Sequence, residues 1–290
     1  MKNQTANRGV AELRKFVGLF CLVAASVAML VALPVPARSS AQSGQTAESA
    51  AKKHATLFQY STLPALSLGM YDGDLSFSQL LQHGDFGLGT LNGLDGEVVI
   101  LDGRAWQVRA DGRVFPIASQ SRTPFAAVTF FHADRRYSLS QLYEYSQWKK
   151  RLLQLIPNSN MPHAIRIRAL FSRIKVRSVP RQQKPYPPLT QVVKTQSEWT
   201  WQNVRGTLVG FWFPRYFSDF NLADFHFHFL SDDKKRGGHV LDLQSRDAVV
   251  ELQSLTSFQM QLPQSREFAA ANLNLDQKAD LHKAENSSAK

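Results

Sequence analysis

The chain has 290 residues, 43% of them apolar, with 34 basic against 23 acidic residues and a formal net charge of +11. The apolar share is ordinary for a globular protein and enough for a substantial core. Its single cysteine, Cys21, lies near the N-terminus, so the rest of the chain has no disulfide or thiolate metal ligand to offer. The positive charge is scattered in short clusters such as DDKKRG, and no nucleic-acid-binding motif accompanies it. Nucleic acid is therefore not an expected partner.

The first segment reads as an export signal. Lys2, Arg8, Arg14 and Lys15 form a basic head, and an apolar run follows from Phe16 to Leu33. PVPARSSAQ then places Ser39 and Ala41 at small-residue cleavage positions. Cleavage after Ala41 would remove residues 1–41 as a signal peptide. The mature chain would be periplasmic or extracellular, with no membrane contact. The competing reading is a retained anchor, because the run is close to membrane-spanning length. Loss of the segment removes Lys2, Arg8, Arg14, Lys15, Arg38 and Glu12, which lowers the formal charge from +11 to +7.

Residues 42–56 are small and polar and read as a flexible lead-in, so the folded domain is expected to cover 57–290. SFSQLLQHG (76–84) has the pattern of a short helix capped by Ser76 and stopped by Gly84. In GEVVILDGRAWQVRADGRVFPI (96–117), Asp-Gly pairs at 102–103 and 111–112 separate β-rich runs, which predicts a three-stranded meander. FAAVTFF (125–131) reads as a fully buried strand. SLSQLYEYSQWKKRLLQLI (138–156) places Leu142, Tyr145, Trp148, Leu152 and Ile156 at helical spacing. The alternating PHAIRIRALFSRIKVRSV (162–179) predicts one or two strands, and QKPYPPLT (183–190) a rigid extended loop. GTLVGFWFP (206–214) opens a second run of strands that continues to AVVELQSLTSFQMQL (248–262). A helical stretch is expected over about 265–285. The class is α+β. The shared GTL of GTLNGLDG (89–96) and GTLVGFWF (206–213) hints at two similar sheet units, about 57–200 and 201–290.

Chemistry concentrates in FHFHFLSDDKKRGGHVLDL (225–243), which holds three of the eight histidines. Side chains at i and i+2 of a strand share a face, so His226 and His228 project together while Phe225, Phe227 and Phe229 face the other way. If Asp232 to Gly237 is the loop, Ser231 pairs with Gly238, and His239 lies opposite Leu230. That places it diagonal to His228 on the same face, about 7–8 Å away at Cα. Three imidazoles without a thiolate suit zinc or another late first-row divalent ion, and three protein ligands leave an open coordination position. The plainer alternative is a set of half-buried strand histidines that bind nothing.

Four stretches together resemble the bacterial α-acetolactate decarboxylases: this hairpin, HGDFGLGTLNGLDGEVVILDG (83–103), IKVRSVPRQQKPYPPL (174–189) and GTLVGFWFPRYF (206–217). The resemblance runs from about Leu57 to the C-terminus. It implies conversion of 2-acetolactate to (R)-acetoin and CO2 with a bound divalent metal, usually zinc, and no organic cofactor. It implies His226, His228 and His239 as metal ligands, Thr90 and Arg177 as substrate contacts, and Glu97, Arg177 and Glu285 as catalytic residues. It also implies a homodimer. Read without it, Glu97 is a solvated strand start, Arg177 belongs to an exposed basic strand face, and Glu285 sits in a frayed tail. His83 reads as a helix-end residue, and His54, His132, His163 and His282 as surface or packing residues. Two other functions compete: another three-histidine metal enzyme, or an exported zinc-binding protein without catalysis. A basic module for anionic surfaces is a third.

Overall fold

The computed structural model describes residues 55–274 together with Ala284. The expected signal peptide, His54, His282 and Glu285 lie outside the described residues. In chain order the first strands are β1 (Thr56–Tyr60), β2 (Leu75–Ser76), β3 (Phe86–Thr90), β4 (Glu97–Leu101), β5 (Arg104–Val108), β6 (Val114–Pro116), β7 (Arg122–Thr123) and β8 (Ala126–Thr129). They are followed by β9 (Arg135–Leu139), β10 (Tyr143–Glu144), β11 (His163–Ser178), β12 (Ser197–Phe213), β13 (Asp224–Ser231), β14 (Gly237–Ser254) and β15 (Ser257–Gln261). They are punctuated by the α-helices α1 (Leu63–Ser67), α2 (Phe77–Leu80), α3 (Tyr145–Leu155), α4 (Leu189–Val192) and α5 (Arg266–Ala270), and Ala284 is also helical.

One sheet has seven strands in the order β15-β1-β8-β3-β4-β5-β6. It contains the predicted meander, with the β4–β5 turn at Asp102 and Gly103, both at positive φ. Its central strands are apolar without alternation because both faces are covered. Leu88 and Val99 face the second sheet, whereas Val98, Ile100 and Val128 pack outward with Phe77 and Leu80 of α2.

The second sheet is built on three long strands, with β11 between β12 and β14. β13 pairs with β12 along its length and with the start of β14. The pairings therefore close a circuit β11-β12-β13-β14. A core of Phe225, Phe227 and Phe229 with Ile174, Val176 and Leu243 lines one face. The other face packs on the first sheet through Val209, Phe211 and Leu230 against Leu88 and Val99.

Three features differ from expectation. The helix expected from Ser138 begins only at Tyr145. Residues 135–139 and 143–144 instead add strands to β14, and Glu144 and Gln147 cap the helix reciprocally. The sheet division near residue 200 falls inside β12, which spans 197–213. In the last segment, 265–285, Arg266–Ala270 is helical, residues 271–274 are not, and Ala284 is helical again.

Candidate metal centre and the cavity beside it

The centre forms where β13, β14 and β11 meet β4, an interior strand of the first sheet. His228 lies directly opposite His239, and Phe229 opposite Gly238. The hairpin is thus tighter than the expected register, and its loop is four residues, Asp232–Lys235, closed by a hydrogen bond from Ser231 N to Arg236 O. The tightening has a visible cause. Ser231 Oγ donates to Asp233 Oδ1 and accepts from Arg236 N, while Asp233 Oδ1 also accepts from Lys235 N. Pairing Phe229 rather than Ser231 with Gly238 is a shift of two residues, which preserves side-chain parity. His239 therefore still shares a face with His226 and His228.

That face depends on a bulge. Between Lys175 and Val176 the β11–β14 register slips, from Lys175 opposite Asp242 to Val176 opposite Val240. The extra residue lets Val240 join Leu243 in the aromatic-lined core while His239 turns to the opposite face, beside Arg177. Gly238 makes the approach feasible. Its φ is +140°, and a Cβ there would lie 2.5 Å from the Arg177 carbonyl oxygen.

The three imidazoles converge. Candidate ligand nitrogens of His226, His228 and His239 all lie within 4.8 Å of one another, and all three residues are buried. Ring centroids are 4.9 Å apart for His226–His239 and 5.3 Å for the other two pairs. His228 Nδ1 lies 2.7 Å from the Val98 carbonyl oxygen. A carbonyl only accepts, so Nδ1 carries the proton and Nε2 is left as a lone-pair donor. Burial, followed by the nearby Arg177 guanidinium, pushes the His226 pKa down to about 3. His226 is therefore neutral at ordinary pH, which is the form that ligates a divalent metal. The group can hold such an ion.

A cavity of about 30 Å³ opens beside these histidines. Its polar end is Thr90, Glu97, Arg177, His226 and His228, and its apolar wall includes Leu63, Leu66, Leu94, Phe125 and Leu189. Glu97 is 7% exposed, which excludes the solvated strand start, and its Oε2 lies 3.4 Å from His228 Nε2. Arg177 is 2% exposed, which excludes the exposed basic face. Its Nη1 donates to Gln196 Oε1 at 3.3 Å. Thr90 pairs with Glu97 across β3–β4, and its Oγ1 donates to Gly96 O at 2.7 Å, which ties the turn that delivers Glu97. Thr90 thus serves the loop as well as lining the cavity.

Ala284, the described neighbour of Glu285 in sequence, is 1% exposed and packs in the cluster of Leu63, Leu66, Phe125 and Leu189 that walls the cavity. His83 lies just past the end of α2, its N–H donating to Leu80 O, and its ring stacks on Phe58 at 3.8 Å between centroids. His163 is fully buried, its Nε2 2.8 Å from Asn158 O, so it is a packing residue. Sequence reasoning missed Gln196, the apolar wall and the Val98 carbonyl. The wall residues come from segments distant in sequence, and a main-chain carbonyl has no residue-type signal at all.

The fold and centre define a class: an α+β protein with a buried three-histidine group beside a cavity lined by a glutamate and an arginine. Comparison with known proteins makes this specific. The family model for alpha-acetolactate decarboxylase matches residues 57–275. The alpha-acetolactate decarboxylase of Methylococcus capsulatus is 44% identical over 230 residues, 79% of this chain and 88% of that protein. That of Brevibacillus brevis is 37% identical over 276 residues, 95% of this chain and 96% of that protein. The crystal structure of the Bacillus subtilis alpha-acetolactate decarboxylase superposes with a TM-score of 0.78 at 35% identity, over 80% of this chain and all of that one. The chain belongs to the α-acetolactate decarboxylase family.

Proposed function

We propose that this chain decarboxylates (S)-2-acetolactate to (R)-acetoin and CO2 in the cavity lined by Glu97, Arg177, His226 and His228, with His239 beside them. The observation that carries the proposal is this convergence of three buried imidazoles with a buried glutamate side chain and guanidinium, in a chain of this family. His226, His228 and His239 would hold the metal, with zinc favoured by an all-nitrogen set. When bound, a divalent ion supplies Lewis-acid stabilisation of charge on substrate oxygen.

The remaining work falls to the chain. The bond from the carbinol carbon to the carboxylate breaks, CO2 leaves, and the electron pair passes toward the neighbouring ketone as an enediolate. Arg177 orients the substrate through its planar fork and favours the developing oxyanion. A tight grip on the departing carboxylate would stabilise the ground state and slow the step. Glu97, a few ångströms from His228 and in its carboxylic acid form, delivers its proton to the carbinol carbon from one side, which gives a single enantiomer, and takes a proton from solvent as product leaves. Thr90 holds the Glu97 turn. Glu285 is proposed as a second carboxylate, supported by the burial of Ala284 against the cavity wall. The apolar wall excludes water and faces the substrate's methyl groups.

Export with cleavage after Ala41, and assembly as a homodimer, remain part of the proposal on the sequence reading and the family resemblance. N-terminal sequencing of the secreted protein and sedimentation test them. The function itself is tested by measuring acetoin and CO2 from racemic acetolactate with protein as isolated, after chelation, and after zinc is restored. Activity that is lost on chelation and returns with zinc is expected. Metal uptake without acetoin formation in any state would overturn the reading in favour of a non-catalytic zinc-binding protein.

A further inference from the structure

Beyond the cavity, a polar chain leads from Arg177 to the surface. Arg177 Nη1 donates to Gln196 Oε1 at 3.3 Å, Gln196 Nε2 donates to Glu198 Oε1 at 2.8 Å, and Glu198 Oε2 meets Lys175 Nζ at 2.7 Å. Exposure rises outward along it: Arg177 is 2% and Gln196 6% exposed, while the side chains of Glu198 and Lys175 reach 15% and 28%. The backbone enforces the alignment. Lys175 and Arg177 share a face of β11, Arg177 lies opposite Glu198 of β12, and Gln196 ends the turn immediately before that strand.

An amide has one acceptor end and one donor end. Gln196 must present oxygen to the guanidinium and nitrogen to the carboxylate. The reversed amide would point NH2 at a pure donor and oxygen at a pure acceptor. The Lys175–Glu198 pair fixes the carboxylate that selects this orientation, so the surface ion pair sets the direction of an acceptor inside the site. Arg177 has several rotatable bonds, and an acceptor held from behind narrows the positions its fork adopts.

We propose that Gln196 is a positioning residue for Arg177 in the decarboxylation, with the Glu198–Lys175 pair locking the orientation of its amide. This rests on the role given to Arg177 above. Gln196→Met is expected to lower kcat/KM about 10–100-fold, mainly in kcat, with metal content equal to wild type. In an Arg177→Lys background the same change is expected to cost less than about threefold, because the group it positions is already altered. A space-filling role predicts losses that multiply.

The exchange variant Gln196→Glu with Glu198→Gln supplies an isosteric second test. It restores an acceptor toward Arg177, a donor between the two residues and an acceptor toward Lys175, so it is expected to recover most of the activity that Gln196→Glu alone loses. Near-wild-type kinetics for Gln196→Met, multiplying losses, or an exchange variant no better than Gln196→Glu would each overturn the proposal. Failure of the decarboxylase reading itself shows separately, as a wild-type protein that makes no acetoin. The cycle is then read in urea unfolding, where non-additive effects of Gln196→Met and Arg177→Lys support the contact and additive effects overturn it.

Discussion

Replacing Gly238 with alanine tests whether the metal centre depends on close approach of β14 to β11. The added Cβ would lie 2.5 Å from the Arg177 carbonyl oxygen and 3.1 Å from Val176 Cβ, both on β11, and the φ of +140° is unfavourable for any L side chain. Ordinary contact between such atoms is about 3.5 Å or more, so the strands must separate locally by roughly 1 Å. The backbone conformation adds about 1–2 kcal/mol, and the disturbed packing a comparable amount, so a total loss of about 2–4 kcal/mol is expected. His239 follows Gly238 directly, and Arg177 carries the struck carbonyl. The displacement therefore separates His239 from His226 and His228, and a shift of about 1 Å at a catalytic group costs on the order of 100-fold in rate. Urea unfolding of metal-free protein, zinc titration and acetoin formation measure the three effects. A folded Gly238→Ala protein with wild-type stability, zinc affinity and rate would refute the argument that this glycine sets the geometry of the centre.

Other changes should separate the parts of the site. His226→Ala removes one of three nitrogens and should abolish both stoichiometric zinc binding and activity, and retained zinc at full stoichiometry would count against the ligand set. Glu97→Gln should keep zinc while lowering kcat at least 100-fold, and near-normal turnover would remove Glu97 from proton transfer. The metal-free protein should lose stability in acid. His226 has its folded pKa pushed to about 3, below the ordinary 6.5, so the unfolded chain binds the extra proton between these values and stability falls as pH drops from 6.5 toward 3. From pH 6.5 to 5 the loss is about 2 kcal/mol. A urea midpoint that is flat over that range, or equal acid sensitivity in His226→Gln, would contradict it. Glu251 is 4% exposed and receives Arg166 at 2.7 Å and Arg168 at 2.9 Å. Glu251→Gln should cost about 1–3 kcal/mol in unfolding and leave turnover unchanged, since this network lies outside the cavity's lining.

Much of the chemistry is legible in the residues alone. Alternation in FHFHF separates imidazoles from phenylalanines, and period 2 survives any folding that keeps the segment a strand. The Asp-Gly pairs carry their own positive-φ preference, so the β4–β5–β6 meander follows from local sterics. Several long motifs in order carry the family, where no single His-x-His pair is enough. Other features lie between segments and leave no local trace. The four-residue turn wins over the six-residue one because Ser231 and Asp233 satisfy its amides with their side chains. Residues 135–139 and 143–144 supply strands, although Leu142 continues the helical spacing, because β14 offers them a paired edge and Glu144 caps the helix at Tyr145. Whether His239 faces Arg177 or the aromatic-lined core depends on one extra residue in β14, and a bulge is set by the partner strand's register. The burial of Glu97 and Arg177 is likewise undecided locally, since a charged side chain on a strand reads as solvated until the second sheet covers it. Residue types and their spacing determined which groups this protein can use. The packing of the two sheets decided which of those groups share one buried cavity, because contacts between distant segments are fixed by the tertiary fold.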